Sequence, residues 1–275
     1  MAAPRAGPNM TSAPFDTAYE VLGPPDAPLV ALIHGLGLNR AVWDQTAGAL
    51  AQDFRVLRYD MLGHGQTPTP PQPPDLPLLA RQLADLLTHL QVKAAAIVGF
   101  SLGGMIARRF AQDYPERCLA LAVLHAPHRR AAQAQAAILA RVAEAQAHGP
   151  AATVEAALVR WFSDAFRQAN PQVMTRVRSW VLANDPATYP LYYSVLASGI
   201  DEIVAPQPPI ACPALVITGD EDYGNGPDMA DAIAAEISGA QTLILKGLRH
   251  MALMEAPDRT NMPLSAFLRK ALRHG

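Results

Sequence analysis

The sequence predicts an α/β protein with a mostly parallel central sheet flanked by helices and an inserted helical cap. Three observations carry this. Short apolar runs alternate with longer helical patterns, which is how a parallel sheet with crossover helices is written in sequence. Each run is nearly uniformly apolar and is followed by Gly, Asp, His or Ser, as expected of strands buried on both faces. The interval 128–205 breaks this rhythm, being long, Ala-rich and helical.

Taken in order, Met1 to Pro14 is rich in Ala, Pro and Gly, and predicts a loose tail that cannot repay its ordering entropy. The strands are expected at Leu29 to Ile33, Phe54 to Tyr59, Ala94 to Val98, Leu119 to Leu124, Ala214 to Thr218 and Thr242 to Leu245. Between them, helices are expected at Leu76 to Leu90, at Leu102 to Tyr114 where Pro115 stops the run, and at Met229 to Ile237, with a closing helix at about Leu264 to Leu272. The interval rich in Trp161, Phe162, Phe166, Trp180, Tyr189, Tyr192 and Tyr193 reads as a cap over the sheet's carboxyl edge. The expected organisation is a core of residues 15–127 and 206–275 carrying a cap of residues 128–205. The Pro-rich segments Thr67 to Pro77 and Pro206 to Pro213 are the stiff connectors.

A chain of 275 residues, half of them apolar, can bury one large core with a modest accessory layer. A formal net charge of -2 with 17% charged residues offers no basic field for a phosphate backbone. Nucleic acid is therefore not an expected partner. No stretch reaches the roughly 18 to 20 apolar residues of a bilayer span, and the first residues lack a signal peptide's basic start and apolar run. The expectation is a cytoplasmic protein without a membrane partner, with a homodimer left open. Cys118 and Cys212 lie far apart, outside any CxxC spacing, and read as buried thiols. His-x-x-x-His and His-Glu-x-x-His spacings are also absent, so no metal is implied.

The chemistry concentrates at Gly99-Phe100-Ser101-Leu102-Gly103, between a predicted strand and a predicted helix. That is the context the G-x-S-x-G pattern needs to lift a serine onto a sharp, strained turn. The bare pattern also fits a Gly-rich turn with a capping serine. In its strand-to-helix setting, Ser101 is the expected nucleophile, and the N–H of Leu102 meets a developing oxyanion. A second donor comes from His34-Gly35-Leu36-Gly37, whose glycines let the loop approach and present the N–H of Leu36; His34 itself is expected to brace that loop.

Serine needs a base, and the base needs a carboxylate to hold its tautomer. His250 stands just past the last strand, on the carboxyl edge. His64 reads as a turn residue, His89, His148 and His274 as surface side chains, and His125 and His128 as flanking the cap's entry. The acid is expected in Gly219-Asp220-Glu221-Asp222, with Asp222 preferred because it has cleared the strand end, and Asp220 as the fallback. Gly35, His125, Arg129, Trp161 and Tyr192 are the expected substrate-binding residues.

With these residues in view, the chain from about Tyr19 onward resembles the α/β-hydrolase superfamily, and within it 3-oxoadipate enol-lactonases and carboxylesterases. The shared features are Val42-Trp43-Asp44, Arg58-Tyr59-Asp60 followed by Gly63-His64-Gly65, Gly99 to Met105, Arg160-Trp161-Phe162, the turn ending in Asp222, and the His250 loop closing with Glu255-Ala256-Pro257. The resemblance implies the α/β-hydrolase fold, a Ser101-His250-Asp222 triad and hydrolysis of a small-molecule ester or lactone without a cofactor; a small acidic substrate would need a cation, for which Arg129, Arg130 and Arg160 are the candidate anchors. Two departures bear on substrate: many enol-lactonases have a Ser- and Asn-containing loop where His34 to Gly37 stands, and a paired-cysteine cap segment where Tyr192-Tyr193-Ser194-Val195 stands. Carbon-carbon bond hydrolysis and perhydrolysis suit the same triad, and a ligand-binding receptor is the alternative of another class. A serine at position 101 excludes haloalkane dehalogenase and epoxide hydrolase chemistry, which need a carboxylate there.

Overall fold

In the computed structural model, which describes residues 13–273, the apolar runs become the strands of one seven-stranded sheet. Strand β1 is Tyr19–Leu22 and β2 is Leu29–Ile33; helix α1, Asp44–Leu50, leads to β3, Arg55–Tyr59. Then come α2 (Leu76–His89), β4 (Ala95–Phe100), α3 (Leu102–Asp113) and β5 (Cys118–Leu124). Five helices stand between β5 and the next strand: α4 (Ala132–His148), α5 (Ala151–Trp161), α6 (Asp164–Ala169), α7 (Pro171–Leu182) and α8 (Tyr189–Ser198). The chain closes with β6 (Ala214–Gly219), α9 (Pro227–Ala235), β7 (Gln241–Leu245), the short α10 (Ala252–Glu255) and α11 (Pro257–Leu272).

The strand order is β1-β3-β2-β4-β5-β6-β7, and only the β1–β3 pair is antiparallel. Because Ile33 pairs with Gly99, Phe100 with Leu124 and Gly219 with Leu245, the carboxyl ends of β2, β4, β5, β6 and β7 finish along one edge. The loops that follow those strands therefore meet there, which is where an open parallel sheet places its ligands. β2 and β4 are buried at every residue, as strands covered on both faces must be.

Local chemistry explains the helix that most resembles its forecast. Asp75 caps α2 by accepting the N–H of Leu78 at 2.7 Å, Pro77 sits in the first turn, and Leu76, Leu79, Leu83, Leu86 and Leu87 form the buried stripe. The sequence reading misses β1, four half-buried residues that pair with β3, and it misses α1. The closing helix is longer than expected and runs through Pro263, because the N–H that proline lacks is lost on one turn only while Thr260, Leu264, Phe267 and Leu268 bury one face. Of the expected tail, residues 1–12 lie outside the described residues, as does His274, while Pro14 opens a short 3-10 turn, Pro14–Asp16. Among the described residues no helix is long and apolar enough to cross a membrane.

The inserted helices are tied to the loops of the sheet edge. Asn184 donates to the carbonyl of Gly37 (3.0 Å), the N–H of Met251 donates to the carbonyl of Trp161 (2.9 Å), and Arg249 donates to Phe162 O and Asp164 Oδ1 (both 2.9 Å). Cys118 and Cys212, 94 residues apart in sequence, bring their sulfurs to 3.7 Å as free thiols.

Candidate active site

Ser101 holds φ 56° and ψ −118°, a left-handed region that L residues enter only when their surroundings over-determine it. Two glycines make the turn possible. A Cβ on Gly99 would sit 2.1 Å from the carbonyl oxygen of Gly103, and one on Gly103 would sit 2.2 Å from that of Ile33. The Ser101 N–H donates to Leu124 O at 2.9 Å, and its carbonyl accepts the N–H of Gly104 at 2.9 Å, so both sides of the elbow are fastened. α3 begins at the next residue with its amino end toward the serine.

Gly35 brings the facing loop close, since a Cβ there would lie 3.1 Å from the Phe100 ring and 3.2 Å from the Ser101 Cβ. His34 fixes that loop. The N–H of Met61 donates to its Nε2 (3.0 Å), which leaves Nδ1 to donate to Gly35 O (2.8 Å). Burial holds the His34 imidazole below its ordinary pKa and therefore neutral, and it pushes that of the neighbouring His64 down to about 3. No backbone carbonyl takes the N–H of Leu36 or of Leu102.

Asp222 and His250 come from the loops after β6 and β7. Asp222 Oδ2 accepts His250 Nδ1–H at 2.8 Å, which leaves Nε2 as that ring's free nitrogen. The same oxygen accepts Nδ1–H of His125 at 3.0 Å, while Oδ1 accepts the N–H groups of Gly224 (3.2 Å) and Asn225 (3.1 Å). Burial alone would raise the Asp222 pKa, but the His250 charge and the hydrogen bonds from both histidines outweigh it and hold the carboxyl well below the usual range. Burial lowers the pKa of His125, whose Nε2 has no partner to bond a second proton. Asp220 serves its own turn, accepting the N–H of Gly247 at 2.6 Å.

Ser101, Asp222 and His250 line one cleft together with Gly35, Leu36 and Trp161. No side-chain hydrogen bond joins Ser101 to His250; the hydroxyl and the imidazole share the cleft, with the imidazole centred 4.9 Å from the Phe100 ring and tilted 44° to it. Leu102 stands behind the serine, fully buried.

Three expected binding residues, Arg129, Tyr192 and His125, lie off the cleft's lining. Arg129 points outward, its side chain 63% exposed beside Asp201, because Arg130 rather than Arg129 turns inward after β5. Tyr192 is fully buried with its ring 4.7 Å from that of His64; on α8 it is Tyr189 and Tyr193, one turn apart, that face the cleft. His125 sits behind Asp222. Arg141 and Thr153 also line the cleft and escaped the sequence reading, since on Ala-rich helices nothing local marks which polar side chain faces inward.

Among the described residues, His125, Asp222 and His250 are the one group of His, Cys, Asp and Glu whose donor atoms, within 4.8 Å of one another, could hold a metal ion. Both histidines already aim Nδ1 at one carboxylate oxygen, so hydrogen bonding accounts for that closeness.

A family model described as the alpha/beta hydrolase fold matches residues 28–257. The chain is 27% identical over 241 residues, 88% of its length and 90% of the relative's, to an (E)-2-((N-methylformamido)methylene)succinate hydrolase of Acinetobacter baylyi. It is 26% identical over 257 residues, 92% of each chain, to 3-oxoadipate enol-lactonase 2 of the same organism. Among solved structures, an enol-lactonase from Burkholderia xenovorans superposes with a TM-score of 0.85 at 26% identity, over 92% of this chain and 96% of that one.

Proposed function

Since the chain belongs to the α/β-hydrolase family, we propose that it is a serine hydrolase that cleaves a carboxylic ester or lactone through an acyl-serine intermediate. The observation that carries this reading is the 2.8 Å bond from His250 Nδ1 to Asp222, in a cleft that also presents Ser101 on a strained turn. A hydrolase of a succinate derivative and an enol-lactonase among the relatives are consistent with it.

Each step has a group to perform it. The Ser101 hydroxyl, which shares the cleft with His250, hands its proton to Nε2 in a contact that tightens when substrate arrives. Ser101 Oγ attacks the carbonyl carbon as its proton passes to Nε2, and the tetrahedral oxyanion takes the free N–H groups of Leu36 and Leu102. The imidazolium is stabilised by the ionised Asp222. Collapse breaks the bond to the leaving oxygen, which takes the proton from Nε2. In a lactone, that oxygen stays tethered to the acyl group. Water then attacks the acyl carbon with His250 again as base, and Ser101 leaves with the returned proton. The helices between β5 and β6 act as the cap, keeping bulk water from the acyl-enzyme.

A fluorophosphonate probe tests the reading. It labels the wild-type protein at neutral pH and not Ser101→Ala; equal labelling of the two, or none of either, overturns it.

A further inference from the structure

Among the described residues, three guanidinium groups face the nucleophile's cleft without a counter-ion. Arg130 follows β5, Arg141 lies on α4 and Arg160 near the end of α5, so three separate segments converge, each half-buried and each lining the cleft. What bonds they make within the protein go to backbone: Arg130 to the carbonyls of Leu196 (3.2 Å) and Ala197 (3.4 Å), and Arg160 to that of Ala156 (3.0 Å). Arg141 Nε is buried with no partner. Among the described residues the one carboxylate lining the cleft is Asp222, and both of its oxygens are taken.

The three also repel one another. Burial and then the charge of Arg141 push Arg130 down to about 10, and the same two causes lower Arg160. No carboxylate is among the groups acting on either; the opposing influence comes from Tyr193 and, for Arg160, Tyr189 as well. Holding like charges together in a partly dry cleft is unfavourable until an anion enters, and a guanidinium fork matches a carboxylate edge to edge. A single carboxylate presents two oxygens and one charge, too little for three cations. A dianion or trianion matches them.

We infer that the cleft takes an ester or lactone of a tricarboxylic acid that keeps two free carboxylates, seated on Arg130, Arg141 and Arg160. The ester or lactone half of this statement rests on the function proposed above; the anion seat does not. Arg129, adjacent in sequence but pointing outward, takes no part.

Calorimetric titration of the Ser101→Ala protein with tricarballylate, glutarate and butyrate tests the seat without turnover. Affinity falls at least tenfold from tricarballylate to glutarate and again to butyrate, and it weakens as salt is raised. Arg141→Met, which keeps most of the side-chain volume, lowers tricarballylate affinity at least tenfold; Arg129→Met does not change it, and Lys at position 130 or 160 retains part of it. In the wild-type protein, p-nitrophenyl dihydrogen esters of tricarboxylic acids, which keep two free carboxylates, give at least tenfold higher kcat/KM than neutral esters of matched length. Equal binding of butyrate and tricarballylate, or Arg141→Met binding as the parent does, overturns the inference. Labelling of Ser101 separates the two failures: a labelled serine without anion preference sinks the seat alone, and tricarballylate bound beside an unlabelled serine sinks the hydrolase reading alone.

Discussion

His125 Nδ1 lies 3.0 Å from Asp222 Oδ2, the oxygen that also receives His250. A second imidazole thus helps fix the carboxylate that orients the first. It comes from a residue at φ 50° just past β5, with Asn225 donating to its carbonyl at 3.0 Å. His125→Ala removes one donor from a buried, charged acceptor, a change worth about 1.5–3 kcal/mol. In steady-state kinetics, kcat is expected to fall roughly 10- to 100-fold with little change in KM. Asn tolerates the left-handed backbone and can donate from Nδ2, so His125→Asn should recover part of the loss. An unaltered kcat in the alanine variant would mean that Asp222 needs no second donor.

The elbow's glycines make a second prediction, with its control in the same chain. In Gly103→Ala the new Cβ would meet two backbone carbonyl oxygens, 2.2 Å from Ile33 and 2.5 Å from His34, neither of which can swing aside. Overpacking of this kind costs about 1–3 kcal/mol or more, and roughly 2–4 °C in Tm for each of those in a chain this size. Gly48, in α1, has nothing within 4 Å of its Cβ position, so Gly48→Ala should instead raise stability by about 0.5–1 kcal/mol. Thermal melts of the two variants should move in opposite directions.

Much of this site is legible in the sequence because strand-to-loop transitions are local. Gly99 to Gly103, Gly219 to Asp222 and the His250 loop each follow a short apolar run, so their arrival at one sheet edge follows from parallel pairing. What is not legible depends on rotation about a helix axis or on distant packing. Arg129 and Arg130 are neighbours in sequence, yet one points to solvent and the other into the cleft. The spacing of Tyr189, Tyr192 and Tyr193 allows more than one of them to face inward, and only the packing of Tyr192 on His64 decides against it. That His125 would turn to Asp222, 97 residues later, has no local signal at all.

Stability should be lost as pH falls below neutrality, independently of catalysis. His34, His64 and His125 are fully buried, and burial lowers the pKa of each, His64 to about 3. In the unfolded chain these imidazoles take up protons near roughly pH 6.5, so between that value and their folded pKa the unfolded state binds more protons. The stability they support is complete above that range and declines with acidification; His64 alone accounts for about 1.4 kcal/mol per pH unit from roughly pH 6 down toward 3. Urea midpoints at pH 7.5, 6.5 and 5.5 should fall in that order, and a flat series would show that these rings are solvated or paired.

Arg108 makes the strongest case for a buried ion pair that must be kept whole. Only 1% of its side chain is exposed, and it bonds Glu236 at 2.7 Å and the Ile203 carbonyl at 3.0 Å. Glu236 in turn accepts His128 Nε2–H at 3.0 Å and the N–H of Ala205 at 2.8 Å, so one carboxylate joins α3, the entry to the inserted helices and their exit toward β6. Removing one partner of a buried pair costs about 3–5 kcal/mol because a charge is left uncompensated, whereas replacing both can be nearly neutral. Glu236 keeps some contact with water, which trims the penalty for Glu236→Ala to about 2–3 kcal/mol, or roughly 5–10 °C in Tm. Adding Arg108→Met removes the stranded cation and should restore part of that loss, so the double variant melts above Glu236→Ala. Strictly additive losses in this cycle would show that the two charges do not depend on one another.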